Sequence, residues 1–151
     1  MGKFLFVQSA IASILILNVT AQQVIPGQVT ATVNWPKPCC YINYDSFSPI
    51  VTLCNGLSET ITGDVTLVVS GSDMYQKSVV YGPLDWDAGC SDLKISWQIP
   101  VNAPAETYDA MVSIRPTASP YFAPIVIQKN NAFDVTHYVG PWDIRTGRRW
   151  L

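Results

Sequence analysis

Apolar residues recur at every second position along much of the chain. Val29, Ala31, Val33 and Trp35 alternate with Thr30, Thr32 and Asn34. Val65, Leu67 and Val69 alternate with Asp64, Thr66 and Ser70, and Val68 is the one apolar exception. Leu93, Ile95, Trp97 and Ile99 alternate with Asp92, Lys94, Ser96 and Gln98 without exception. Tyr108, Ala110, Val112 and Ile114 alternate with Asp109, Met111, Ser113 and Arg115. A period of two marks strands with one face buried and the other wet. Shorter runs at 50–54, 77–81, 125–129 and 132–138 predict further strands.

Turn residues separate the runs: Cys54-Asn55-Gly56, Thr62-Gly63-Asp64, Ser70-Gly71-Ser72, Tyr81-Gly82-Pro83 and Ala118-Ser119-Pro120. The chain carries 11 prolines, which break helices and central strands, and no window shows a helical stripe. The pattern predicts an all-β domain over 22–139, an immunoglobulin- or fibronectin-like β-sandwich of seven or eight strands. A tail over 140–151, GPWDIRTGRRWL, has no alternation and reads as loosely ordered. In IPVNAPAETYDAMVSI, Tyr108 opens a strand after a loop containing Pro104, the layout of a tyrosine corner that bonds back to the loop. By its alternation Trp97 belongs to the core.

The start of the chain has a different character. Lys3 precedes an apolar run over 4–19, and Val19-Thr20-Ala21 places short residues where a signal peptidase reads. This is the layout of a secretory signal over 1–21. Gln8, Ser9 and Ser13 interrupt the run, which argues against a spanning helix. The mature chain is therefore expected to start at Gln22, to be secreted and extracellular, and to hold no integral membrane segment. Removing Lys3 lowers the basic side chains from 9 to 8, against 11 acidic ones. No basic face is evident, so nucleic acid is not an expected partner.

Secretion makes disulfides the default state of Cys39, Cys40, Cys54 and Cys90. Adjacent cysteines rarely bond to each other, because the ring strains the peptide between them. The expectation is two bridges, one from each of Cys39 and Cys40, to Cys54 and Cys90, with the connectivity open. Each would contribute on the order of 2–4 kcal/mol. His137 is the only histidine and no C-x-x-C occurs. Neither a zinc site nor a dithiol redox centre is expected.

No serine-hydrolase elbow, metalloprotease helix, phosphate loop or dinucleotide fingerprint is present, and no cofactor is expected. The N-terminal Gln22 and the single histidine rule out a copper oxidase of polysaccharides. Asp85 and Asp87 flank Trp86, and an acid pair beside an aromatic is what glycoside cleavage uses, but aspartates in turns are ordinarily solvated, and no catalytic residue is assigned. The 5 tryptophans and 7 tyrosines remain. Trp35 and Trp97 read as core. Trp86, Tyr75 and Tyr81 lie in or beside loops and are the candidates for stacking on a sugar, for a protein surface, or for the mouth of an apolar site.

The run LKISWQIP, then YDAMVSI, then NNAFDV, spanning 92–135, resembles the immunoglobulin-like module of the fungal secreted KNH-like family, the Ser/Thr-rich GPI-anchored proteins linked to cell-wall β-glucan assembly. The resemblance covers about a third of the chain. It implies a cell-wall or extracellular-matrix role without catalysis. The chain departs from that family in having no Ser/Thr-rich stalk and no anchor signal, and in carrying the Cys39-Cys40 pair. Its size, signal, disulfides and strand entry also resemble secreted lipid-recognition sandwiches of the MD-2-related type, which implies a lipid ligand. A secreted effector acting on a host protein is the third reading. The leading expectation is a non-catalytic module that recognises extracellular glycan or a protein surface.

Overall fold

The computed structural model describes residues 22–72, 74–136, 142–143 and 148–149. The expected signal segment, His137 and most of the tail lie outside the described residues. The body is built from nine strands. They are β1 (Val29–Asn34), β2 (Ser46–Phe47), β3 (Ile50–Asn55), β4 (Ile61–Ser70), β5 (Gln76–Trp86), β6 (Gly89–Lys94), β7 (Trp97–Gln98), β8 (Thr107–Pro116) and β9 (Ile125–Asp134). No helix occurs among the described residues.

The strands form one sheet ordered β1-β3-β6 and another ordered β5-β4-β8-β9. A short β2–β7 pair continues the first sheet past a break. Every strand pairing is antiparallel. The immunoglobulin constant arrangement likewise puts four strands in one sheet and three in the other, but its fourth strand joins the layer of the N-terminal strand. Here the N-terminal strand β1 lies in the three-stranded layer, and the fourth strand of the other layer is β5, which pairs with β4.

Two breaks explain why nine strands appear where seven or eight were expected. The run from Ser46 to Asn55 is interrupted at Ser48-Pro49, and the run from Gly89 to Gln98 at Ile95-Ser96. Pro49 has no N–H to give to a ladder. The two interruptions lie side by side and close on each other. Ser48 Oγ and Ser96 Oγ are 2.7 Å apart, and Ile95 N–H donates to Pro49 O at 3.1 Å. Burial ignores the break: Ile95, Trp97 and Ile99 are all interior, as the alternation predicts.

Two of the expected turns are strand instead. Thr62-Gly63-Asp64 and Tyr81-Gly82-Pro83 lie inside β4 and β5, at a register shift between Gly63 and Val65. The pair forms a bulge, which also uses glycine. Gly82 has φ +148°, a backbone state that side chains rarely adopt. Pro83 is tolerated because β5 is an edge strand. A Cβ on Gly63 would sit 2.5 Å from Arg115 O on β8.

Aromatic rings fill the core at one end. Phe133 stacks on Phe47 at 4.0 Å and on Tyr108 at 5.2 Å, and Trp97 lies 6.0 Å from both Tyr108 and Phe133. Tyr108 is fully buried, and its hydroxyl donates to Pro104 O at 2.9 Å, which is the tyrosine corner. Burial first, then the neighbouring Glu106 carboxylate and Tyr75, push this phenol well above its ordinary range. Trp35 is half-buried and stacks on Phe47 at 6.4 Å.

The segment before β2 runs parallel to the end of β9, with Tyr41 bridged to Val135. Asp134 N–H donates to Pro38 O, and Tyr41 N–H to Asp134 O. In the tail, where no alternation predicted a strand, β10 (Trp142–Asp143) pairs with β11 (Arg148–Arg149).

Candidate functional site

The cysteines form two disulfides, with a different pairing from the one expected. Cys54 bonds Cys90, and Cys39 bonds its neighbour Cys40. Register decides this. Cys54 on β3 and Cys90 on β6 stand directly opposite, with Cα atoms 4.0 Å apart, so each is the other's nearest partner. The bridge joins two strands of one sheet and does not cross the sandwich. Among the described residues no group of His, Cys, Asp and Glu could hold a metal ion.

Asp85 and Asp87 are both exposed and both engaged. Thr62 Oγ1 donates to Asp85 at 2.7 Å, and Thr60 Oγ1 to Asp87 at 2.7 Å. The same device recurs elsewhere: Thr52 donates to Asp92 and Thr107 to Asp134, each at 2.6 Å. Three of these four pairs sit directly opposite in the ladders. A threonine facing an aspartate across a strand pair is a stabilising cross-strand contact. Asp85 and Asp87 thus act as surface pins of the β4–β5 ladder. They lack the apolar enclosure that tunes a carboxyl group to act as a general acid.

The three aromatic candidates do not come together as a platform. Trp86 is only 6% exposed and lies in the core, opposite Ile61, and its carbonyl accepts from Asn55 Nδ2 at 3.1 Å. Tyr75 is half-buried, packs edge-on against Tyr108 at 5.7 Å, and carries Lys77 Nζ 5.8 Å from its ring centroid. Burial raises its phenol pKa. Tyr81 is half-buried and sends its hydroxyl from β5 to the break in the other sheet, at Ser96.

Two open depressions mark the surface. One, of about 420 Å³, is lined by Gly27, Gly56, Leu57, Ser58, Glu59 and Pro120. The other, of about 520 Å³, lies beside Cys39, Glu106 and Asp134. Between the sheets the ring cluster and the buried aliphatic side chains form one core, so the lipid reading gains no support from the packing. No helix among the described residues is long and apolar enough to cross a membrane.

The feature that stands out is the outer face of the β5-β4-β8-β9 sheet. Pairing places Val80, Thr66, Ser113 and Val126 in one row across the four strands. Ser78, Val68, Met111 and Gln128 form a second row two residues along. Val80 is 61% and Val126 57% exposed, while Val68 and Met111 in the centre are half-buried. These are apolar side chains at positions where alternation calls for polar ones; Val68 and Met111 stand directly opposite on β4 and β8, and Val80 and Val126 lie diagonal to them on the flanking strands. Singly they would need no explanation, but a contiguous patch marks a contact surface. Ser113 is only 5% exposed, and its Oγ has no hydrogen-bond partner among the described residues. Buried hydroxyls ordinarily have one. Asp109 and Arg115 border the patch at opposite ends of β8.

None of these outer-face residues was a sequence-based candidate. The signal was present in Val68, the exception in its strand, and in Met111, which occupies a polar position. No family model matches the chain, and no curated protein matches it.

Proposed function

We propose that the protein is a secreted, non-catalytic recognition module that binds a protein surface through the outer face of its four-stranded sheet. The apolar band of Val68, Val80, Met111 and Val126 on an otherwise polar sheet carries this reading. Val68 and Met111 lie on the two central strands and Val80 and Val126 on the edge strands, so the band crosses the whole sheet, with Thr66, Ser113, Ser78 and Gln128 beside it. Trp86, Tyr75 and Tyr81 are committed to packing and hydrogen bonds, which weighs against sugar stacking through them. The resemblance of 92–135 to a wall-protein module agrees with an extracellular setting.

The test compares the protein with a Val80→Glu/Val126→Glu variant, both checked for an unchanged fold by circular dichroism. We expect wild type alone to enter complexes with extracellular proteins, and neither form to be retained on insoluble wall polysaccharide. Equal retention of both on polysaccharide would overturn the proposal in favour of glycan binding at another surface.

A further inference from the structure

We infer that the partner on this face is a second copy of the chain, stacked across a two-fold axis that runs over the row Val79–Leu67–Val112–Ile127. The inference rests on the reading of the outer face as a docking surface. Those four residues lie directly opposite one another across the four strands. Their side chains belong to the inner face, so this row is a trough on the outer one. The two outward rows flank it, one on each side.

Turning a second copy by half a revolution about the trough keeps each strand over its own counterpart, reversed in direction. It also exchanges the two rows. Val80 then lies over Ser78 of the second copy, and Val68 over Thr66. Met111 lies over Ser113, and Val126 over the stem of Gln128. Each apolar side chain meets a hydroxyl or amide side chain, Val68 facing a threonine of its own size, and each contact occurs twice, as an isologous interface requires. The thioether of Met111 is a weak acceptor, and it would face the Ser113 hydroxyl that has no partner among the described residues.

Charge obeys the same operation. Asp109 and Arg115 are equidistant from Val112 along β8, on the outer face. The two-fold places Arg115 of one copy over Asp109 of the other, twice. Asp109 Oδ1 already accepts from Asn131 N–H at 2.7 Å, which fixes the carboxylate and leaves its other oxygen available. Moving the axis by one residue, onto either outward row, lays that row over itself and forfeits both charge pairs. Aligned sheets stack in this way about 10 Å apart.

The patch is small. Four strands spaced about 4.8 Å, with outward residues over roughly 20 Å of length, cover about 300 Å² in plan. A stable interface takes about 800 Å² of accessible surface from each partner. The dimer should therefore be reversible and concentration-dependent.

Sedimentation equilibrium of the secreted protein from roughly 1 μM to 1 mM tests this. We expect a monomer–dimer equilibrium. Met111→Glu should be monomeric throughout. Arg115→Asp and Asp109→Arg should each weaken the dimer at least about tenfold, through like charges set face to face. The double variant should recover wild-type affinity to within a few-fold. Asp109→Arg removes the Asn131 contact, so its thermal midpoint is measured alongside. Should it fail to fold, Arg115→Asp and Val126→Glu carry the test, and both should weaken the dimer. A protein that stays monomeric at 1 mM, a dimer indifferent to Met111→Glu, or a double swap without recovery would overturn the inference. If the protein is monomeric yet Met111→Glu still abolishes complexes with another extracellular protein, the docking face survives and the second copy is removed as its occupant. If neither association exists, both readings fall.

Discussion

The hydroxyl of Tyr81 is bonded at once to the carbonyl and the amide of Ser96, donating to O at 2.6 Å and accepting from N–H at 2.7 Å. Tyr81 stands on the edge strand of one sheet, and Ser96 occupies the break between β6 and β7 of the other. A gap in one ladder is closed by a side chain from the opposite layer. The backbone groups that the break frees must find partners, and this phenol supplies both.

Tyr81→Phe removes that closure and little else. We expect a loss of about 1–2 kcal/mol, because a freed backbone group costs a few kcal/mol when buried and less where water reaches it. Urea denaturation measures the loss, and hydrogen exchange should show Ser96 N–H newly unprotected. An unchanged midpoint would mean that water closes the gap equally well.

Stability at high pH follows from the tyrosines. Burial holds the phenols of Tyr41, Tyr75 and Tyr108 above the ordinary value of 10.0. For Tyr41 the charge of Asp45 adds to this, and for Tyr108 those of Glu106 and Tyr75 do so. The folded protein thus keeps these protons more tightly than the unfolded chain does. Their contribution is complete below the unfolded value and is lost as pH rises towards the folded ones. We expect stability to fall above about pH 10, with part of the tyrosinate absorbance appearing only on unfolding. A Tyr108→Phe variant should lose much of that delayed step.

The bridge between Cys54 and Cys90 closes a loop of sequence separation 36. Loop entropy assigns such a bridge about 3–4 kcal/mol. Replacing both cysteines by alanine should lower stability by about this amount, read from denaturant midpoints. Unreduced peptide mapping should find Cys54 linked to Cys90, with Cys39 and Cys40 linked within a single peptide. A cross-link from Cys39 or Cys40 to either of the other two would contradict the pairing.

Trp86→Ala should act on the fold. With 6% of its surface exposed, its removal leaves a cavity, and large-to-small changes of this kind cost about 3–5 kcal/mol. Thermal unfolding measures the loss. A variant as stable as wild type would show that the ring is not part of the core.

The alternation of apolar and polar residues determined by itself that this is a β protein, and which face of each strand points inward. It did so because side chains leave a strand on alternate sides whatever lies beside it. Leu93, Ile95, Trp97 and Ile99 kept that sidedness through a broken ladder. Tyr108 and its loop were legible for a similar reason, since the corner bond spans only four residues to Pro104. Only the tertiary structure decided what depends on distant neighbours. Whether Gly63 and Gly82 make turns or a shared bulge depends on two strands meeting, and glycine serves both. The partner of Cys54 depends on the register of β3 against β6, which no local pattern contains. Trp86 and Tyr81 sit near turns in sequence, yet one is core and the other a staple, because the opposite sheet packs over them. Val68 and Met111 were two separate irregularities along the chain. They became one surface when β4 and β8 paired in register, because a sheet face is assembled across strands while sequence is read along them.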